Sequence, residues 1–425
     1  VSVGTLARTI CALALTATCA IARGDQVAGA VPALAATRPA LALGPYVQDL
    51  RSDGFTLAFE TDADVAAEVR AAGRAGAVTV ATRGTRHEAV LRGLKPGTRV
   101  PYRIFIGGHD AGGGEVALAG DRPILDFVVY GDTRDGDDQA TDVVRAIAVA
   151  HPDLLLHTGD FAPHGSDLEG WRRFFSAEAS ILRDIPLYPV LGNHEIYRDP
   201  GAVQWRRFFV PPDGGRERFY YTFRLGPAAF IVLDGNHPVP AQTAWLADQL
   251  AAARRDRVPH VFVVEHQPPL STGDHCGSAV EQAEWMALFE EHRDRVRAVF
   301  AGHDHAYERM ERRGVRYFVS GGGGAPLYPE HEGCAPFDHA SRRTYRALHH
   351  IVKVHVDGNN VDVAAVQLDG TPIETTHIAA NEPMFAADAP PLVPGRSRSP
   401  HPWTLAGGAA VFIVAGILMR RRRPR

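Results

Sequence analysis

Cysteine is scarce in this chain. Only Cys11, Cys19, Cys276 and Cys334 occur among 425 residues. With so few thiols, a site built on soft thiolate ligands is not on offer. Charge of one sign is lacking as well. The formal net charge is −4, so no global basic field draws in nucleic acid, and the one dense basic run is residues 420–423, all arginine. No internal repeat is visible. What is present is ordinary for a folded protein: 45% hydrophobic and 22% charged residues, in a chain long enough for two domains and a sizeable core. The 42 glycines and 30 prolines predict many turns and long functional loops. Histidine is plentiful at 20, but a count alone does not make a site.

Both ends read as targeting segments. Residues 9–22 are a short apolar run after Arg8, and Ala28-Gly29-Ala30 is a small-x-small cleavage pattern. Together they predict a secretory signal peptide over residues 1–30. Cys19 lacks the preceding leucine of a lipoprotein signal. At the other end, residues 403–419 are uncharged and mostly apolar, at the short limit for a membrane-spanning helix. The arginines that follow hold that end on the cytoplasmic side. The alternative is a sorting signal that is later cleaved. Residues 380–402, rich in Pro, Ala and Ser, read as a linker. Either reading exports the body to the extracellular or periplasmic face, and the first leaves it membrane-anchored at the C-terminus. An exported location permits a Cys276–Cys334 disulfide; two unpaired thiols are the alternative.

Residues 40–122 carry short apolar runs separated by Gly and Asp turns, the pattern of a small all-β sandwich. From Ile124 the rhythm changes, and residues 124–378 alternate strands with helices, an α/β core. Strands are predicted at 124–130, 154–157, 187–191, 228–233, 260–264 and 296–300. Helices are predicted at 138–150, 168–182, 243–253 and 279–292. Residues 351–356 and 361–368 read as an antiparallel pair about a turn at Asp357-Gly358.

Candidate metal ligands stand just after the strands. These are Gly131-Asp132, Gly159-Asp160, Gly192-Asn193-His194-Glu195, Glu265-His266 and Gly302-His303-Asp304-His305. In an α/β sheet, ligands bind outside the carboxyl ends of the strands. Five such ends carrying Asp, Asp, Asn-His, His and His-x-His would converge there, and the glycines leave room for sharp turns and close backbone approach. Singly, each piece is a turn or a surface histidine; in series they point to a metal centre. Carboxylate, amide oxygen and imidazole suit Zn, Fe or Mn.

This order of motifs resembles the calcineurin-like metallophosphoesterase superfamily. Residues 302–309 (GHDHAYER) and 321–328 (GGGGAPLY) resemble its purple acid phosphatase branch. Residues 44–48 (GPYVQ) resemble the entry to the N-terminal domain of that branch, and 94–98 (LKPGT) the penultimate loop of a fibronectin type III-like domain. The resemblance covers about residues 40–375. It implies a four-layer αββα sandwich around two metal ions, preceded by a fibronectin type III-like β-sandwich. It further implies that Asp160 bridges the metals, that Asn193, His266 and His303 complete one site, and that Asp132 and His305 serve the other. The implied activity is hydrolysis of small phosphate monoesters by a metal-bound hydroxide, as in acid phosphatases. A phosphodiesterase on the same metals is the alternative, and a catalytically silent surface protein using the sandwich for adhesion is another. In this reading His194 stabilises the phosphoryl group or protonates the leaving oxygen, and His275 faces the substrate, where a disulfide through Cys276 could hold it.

Two positions depart from the resembled pattern. The tyrosine that ligates ferric iron, three residues after the second Asp, is here Pro163. The superfamily's histidine two residues after the first Asp is here Arg134. The first metal site is thus left with Asp132, Asp160 and His305. Water, His164 or a weak, near-empty site would account for the gap, and Arg134 could instead point at the substrate phosphate. Metal-loaded protein is therefore expected to show no tyrosinate-to-iron charge-transfer band; a strong visible band of that kind would overturn the ligand reading.

Overall fold

The computed structural model describes residues 38–237 and 239–379. The expected leader (1–30), linker (380–402) and apolar segment (403–419) lie outside the described residues, apart from which no described helix is long and apolar enough to cross a membrane.

Three sheets carry the fold. The first joins Leu41–Arg51, Gly54–Gly73, Gly76–Leu91, Arg99–Ile106 and His109–Ala117. Its long second strand pairs with Leu41–Arg51 through residues 54–61 and with Arg99–Ile106 through residues 67–71. One strand thereby serves two sets of neighbours, and its alternating apolar residues Phe55, Leu57, Phe59 and Val69 are buried. The six-stranded sheet runs Pro372–Ile378, Asn360–Gln367, His350–Asp357, Ile124–Tyr130, Leu154–His157, Leu187–Pro189. The seven-stranded sheet runs Arg342–Arg346, Tyr307–Arg312, Val315–Ser320, Val296–Ala301, His260–Val264, Ala228–Val232, Tyr221–Leu225.

Side-chain alternation places the layers, because successive strand residues point to opposite faces. In Ile124–Tyr130, Leu125, Phe127 and Val129 join one buried cluster, whereas Val128 and Tyr130 join another with Val143, Trp171 and Phe174 of the neighbouring helices. In His260–Val264, Phe262 and Val264 share the first cluster, whereas Val261 and Val263 pack with Leu246, Leu250 and Phe289. The two sheets therefore face each other, with helices on both outer faces: the αββα sandwich. At the centre, the Phe127 ring meets Phe230, Phe262 and Phe300 edge-on at 5.3, 5.0 and 6.2 Å, the arrangement aromatic quadrupoles favour.

The N-terminal sheet contributes Phe55, Val69 and Ile104 to the same central cluster. It is also tied on by hydrogen bonds. Tyr46 and Tyr102 hydroxyls donate to the carbonyls of Phe208 (2.8 Å) and Arg183 (2.7 Å), and Arg207 forks onto Glu60 at 2.8 and 3.0 Å.

Two expected helices are divided. Leu168–Ala177 and Ala179–Leu182 meet at Glu178, whose buried carboxylate accepts from Tyr130 Oη at 2.5 Å. Ala279–Glu284 and Met286–Glu291 meet at Trp285, which is fully buried. At both junctions i→i−4 backbone bonds still run through the buried residue, Glu178 N–H to the Phe174 carbonyl and Trp285 N–H to the Glu281 carbonyl. The strands Tyr307–Arg312, Val315–Ser320 and Arg342–Arg346 have no counterpart in the sequence reading; in the first and third, charges (Glu308, Arg309, Glu311, Arg312, Arg342, Arg343) break any apolar run.

His350 is buried between the sheets, its Nδ1–H donating to the Leu348 carbonyl at 3.0 Å. Burial pushes its pKa down to about 4. Between about 6.5 and 4 the unfolded chain therefore binds a proton that the folded chain refuses, so this contribution to stability is present above pH 6.5 and lost as the pH falls. Urea unfolding is expected to show a smaller loss of stability across that window for His350→Gln than for the wild type; parallel losses would show that His350 is not involved.

Candidate metal centre

The candidate ligands come from the carboxyl ends of strands in both sheets. Asp132 follows Ile124–Tyr130, and Asp160 follows Leu154–His157. Asn193 opens the short helix Asn193–Ile196 just past Leu187–Pro189. His266 and the His303–His305 pair follow His260–Val264 and Val296–Ala301. Three of these residues leave their strands in the left-handed region, with φ of +57° at Asp132, +61° at Asp160 and +69° at His303. Such backbone is rare for residues with a side chain and clusters at functional sites. The glycines act as the sequence suggested: a Cβ at Gly192 would overlap Asp160 Oδ1, and one at Gly302 would overlap Asp132 Oδ2.

Asp160 is the common member of two groups. On one side its Oδ1 lies 3.3 Å from His266 Nε2, which lies 2.8 Å from Asn193 Oδ1. The His303 ring centre is 5.0 Å from that of His266. On the other side, ligand atoms of Asp132, Asp160 and His305 lie within 4.8 Å of one another, all three residues being buried. His305 Nε2 is 3.6 Å from Asp132 Oδ1.

Backbone carbonyls set the imidazoles. His266 Nδ1–H donates to the Thr158 carbonyl at 2.7 Å, His305 Nδ1–H to Pro326 at 2.6 Å, and His194 Nδ1–H to Pro163 at 2.6 Å. A neutral ring so held presents a bare Nε2, the form a metal ligand needs. Burial lowers the pKa of His266 and, more strongly, of His303; burial and then Arg134 lower that of His305 to about 4.

The donor set fits a cation. The bare His266 Nε2 faces two oxygen acceptors, Asn193 Oδ1 and Asp160 Oδ1, with no proton between them. Burial, and next the charge of Asp160, push Asp132 well above the usual carboxylate range. Asp160 is held low: burial opposes its charge, but His266, His194 and Arg134 outweigh it. Positive charge placed among these groups relieves both conflicts.

The remaining candidates divide. His194, with 23% of its side chain exposed, sits at the rim with Nε2 3.7 Å from Asp160 Oδ2. His275, 39% exposed, sets its ring 4.1 Å from that of His303 at a tilt of 36° and donates from Nδ1 to Asp304 Oδ1 at 3.0 Å. The Cys276–Cys334 disulfide closes beside it. Arg134 enters the group of Asp132, Asp160 and His305, its Nε 3.3 Å from Asp160 Oδ2. His164 does not: its ring meets Ser166 Oγ at 3.2 Å and Arg198 at 3.5 Å. It is thus turned away from the gap that it was one of three candidates to account for, because the chain bends after Pro163 into the turn closed by Asp167 N–H on the His164 carbonyl.

Supporting residues escaped the sequence reading. The buried Glu195 carboxylate accepts from the backbone N–H groups of Asp160, Phe161 and Gly192 at 2.9, 2.9 and 2.8 Å, locking the Asp160 loop to the Asn193 turn. Asp304 accepts from Ser271 Oγ (2.5 Å) and from the His275 backbone (2.9 Å). Glu308 accepts from the Thr272 hydroxyl at 2.6 Å and from its backbone N–H at 3.0 Å. The one available signal was the adjacency of each acid to a candidate ligand motif.

Residues 125–307 match the family model described as calcineurin-like phosphoesterase. An uncharacterized protein of Mycobacterium tuberculosis is 28% identical over 324 residues, 61% of this chain and 59% of its own length. The chain thus spans about three fifths of the first curated relatives it matches. Purple acid phosphatase 23 of Arabidopsis thaliana is 31% identical over 157 residues, 34% of this chain and 33% of that one. Among solved structures, purple acid phosphatase PPD1 from yellow lupin (Lupinus luteus) seeds has the same fold, with TM-score 0.70 and 18% identity, covering 80% of this chain and 74% of that one.

Glu195→Gln would turn an amide N–H₂ toward backbone donors. It is expected to weaken metal binding by roughly 10- to 100-fold, the usual effect of losing a residue that orients ligands, in competition against a chelating dye. Unchanged affinity would remove Glu195 from this role.

Proposed function

We propose that this chain, which belongs to the calcineurin-like metallophosphoesterase superfamily in its purple acid phosphatase-like branch, is an exported metal-dependent hydrolase of small phosphate monoesters. The observation that carries the reading is the shared, buried Asp160, flanked by Asn193 and His266 on one side and by Asp132 and His305 on the other. Asp160, Asn193, His266 and His303 would hold one ion of Zn, Fe or Mn. Asp132 and His305, with Asp160, would line the other half of the centre. Bound metal supplies Lewis acidity, which favours ionised water and neutralises phosphoryl charge.

The chain's own residues do the rest. His194 is fixed by the Pro163 carbonyl with Nε2 at the rim, where it can hydrogen-bond a phosphoryl oxygen or give a proton to the leaving oxygen. His275 stands on the same rim, oriented by Asp304. The Asp304 carboxylate first has to offset the effect of burial on that imidazole; the net pKa is raised, which favours a proton donor near neutrality. Export and C-terminal anchoring are supported by the two terminal segments of the sequence and by the Cys276–Cys334 bond, which suits an oxidising compartment.

A mono- and a diester aryl phosphate assayed side by side test the substrate class, with faster turnover of the monoester expected; preference for the diester would reassign it. Asp160→Ala is expected to abolish turnover and remove most bound metal. His194→Ala is expected to cut turnover by about 10²- to 10⁴-fold, the range for a positioned acid, with metal content near normal. Loss of metal from His194→Ala would refute its assignment to catalysis.

A further inference from the structure

We infer that Arg134 is the resident cation of the Asp132–Asp160–His305 half of the site, so that the chain binds one metal ion, in the Asp160–Asn193–His266–His303 half. The inference rests on the phosphoesterase reading above and concerns only how the positive charge of that centre is supplied.

Two observations carry it. First, the guanidinium lies within the ligand group. Its Nε donates to Asp160 Oδ2 at 3.3 Å, and its Nη2 to His305 Nε2 at 3.4 Å. Asp160 and His305 are two of the three residues whose ligand atoms would have to turn to a metal ion. His305 is committed to this role, because its Nδ1–H is taken by the Pro326 carbonyl and only the Nε2 lone pair remains. Second, Arg134 is built in. Its side chain is 13% exposed, its backbone N–H donates to the Asp160 carbonyl at 3.1 Å, and Nη1 reaches Asp135 at 3.1 Å. The guanidinium so placed is a permanent cation beside two buried carboxylates.

A divalent ion in this half would compete with the guanidinium for Asp160 Oδ2 and His305 Nε2, and would sit against a like charge held by the fold. Three protein ligands alone do not exclude a metal, since catalytic sites often keep an open position; the arginine does. Arginine also suits the task. Its planar fork matches phosphoryl oxygens, so one side chain can neutralise carboxylates at rest and bind the phosphoryl group during reaction.

The test is metal stoichiometry on the full chain, loaded with Mn(II) or Zn(II), desalted, and measured by plasma mass spectrometry. Circular dichroism checks the fold, and Mn(II) electron paramagnetic resonance tells an isolated ion from an exchange-coupled pair. Wild type is expected to hold about one ion per chain with an isolated-ion spectrum, and Asp132→Ala to leave that count at one. Arg134→His, which offers an imidazole in place of the cation, is expected to hold about two with a coupled spectrum; Arg134→Gln, uncharged, is expected to exceed one. Two ions in the wild type overturn the inference while leaving the phosphoesterase reading intact. A folded Arg134→His protein still at one ion overturns it as well. No bound metal in any folded protein would sink the metal-centre reading on which the inference stands.

Discussion

The carboxylate of Asp160 is the constraint around which the rest of the centre is arranged. It is buried at the end of a strand, on left-handed backbone, beside a glycine that no larger residue could replace without striking its oxygen. A charge in that position is costly unless it is paired on all sides. The chain meets that demand from several directions at once. The His194 backbone N–H donates to Oδ1 at 3.0 Å, the Arg134 Nε donates to Oδ2 at 3.3 Å, and His266 stands at 3.3 Å. Each partner is itself held by a group from another element, so the position of one carboxylate specifies the positions of loops that are far apart in the chain.

That dependence explains why the layer behind the ligands is so rich in buried acids. Glu195, Asp304 and Glu308 do not face the centre. Each instead gathers backbone N–H or hydroxyl donors from a loop that carries a candidate ligand or rim histidine. Loops at the carboxyl ends of strands would otherwise be mobile. Here the acids tie them by hydrogen bonds, and the disulfide at Cys276–Cys334 adds a covalent tie next to His275. The central aromatic cluster supports the same end from below, by fixing the two sheets against each other.

Much of this was legible from local pattern. The strands Ile124–Tyr130, Leu154–His157 and His260–Val264 have the bounds that their largely apolar runs predict, because strands between two covered faces are mostly apolar. The candidate ligands were legible for the opposite reason: a polar Asp or His directly after such a run is conspicuous. Charged strands were not legible. Tyr307–Arg312 alternates buried residues with ion-paired ones, and its Glu308 is buried as an acceptor rather than solvated. The breaks at Glu178 and Trp285 were equally hidden, since the helical period continues through them. His164 looked like a substitute ligand by its place in the sequence, and only the turn after Pro163 shows that it points elsewhere.

The sequence by itself determined the class of fold, the set of candidate ligands and the two positions, Pro163 and Arg134, at which the resembled pattern fails. These are matters of residue type and short spacing, which the chain carries without reference to its folded form. Tertiary structure alone decided what those positions do. Pro163, unable to ligate, lends its carbonyl to orient His194. Arg134 reaches across 171 positions of sequence to His305, and the C-terminal strand His350–Asp357 pairs with Ile124–Tyr130. The physical reason is range. Hydrogen-bond direction, charge balance and strand pairing depend on groups that meet only when distant segments are packed together, and no local period encodes them.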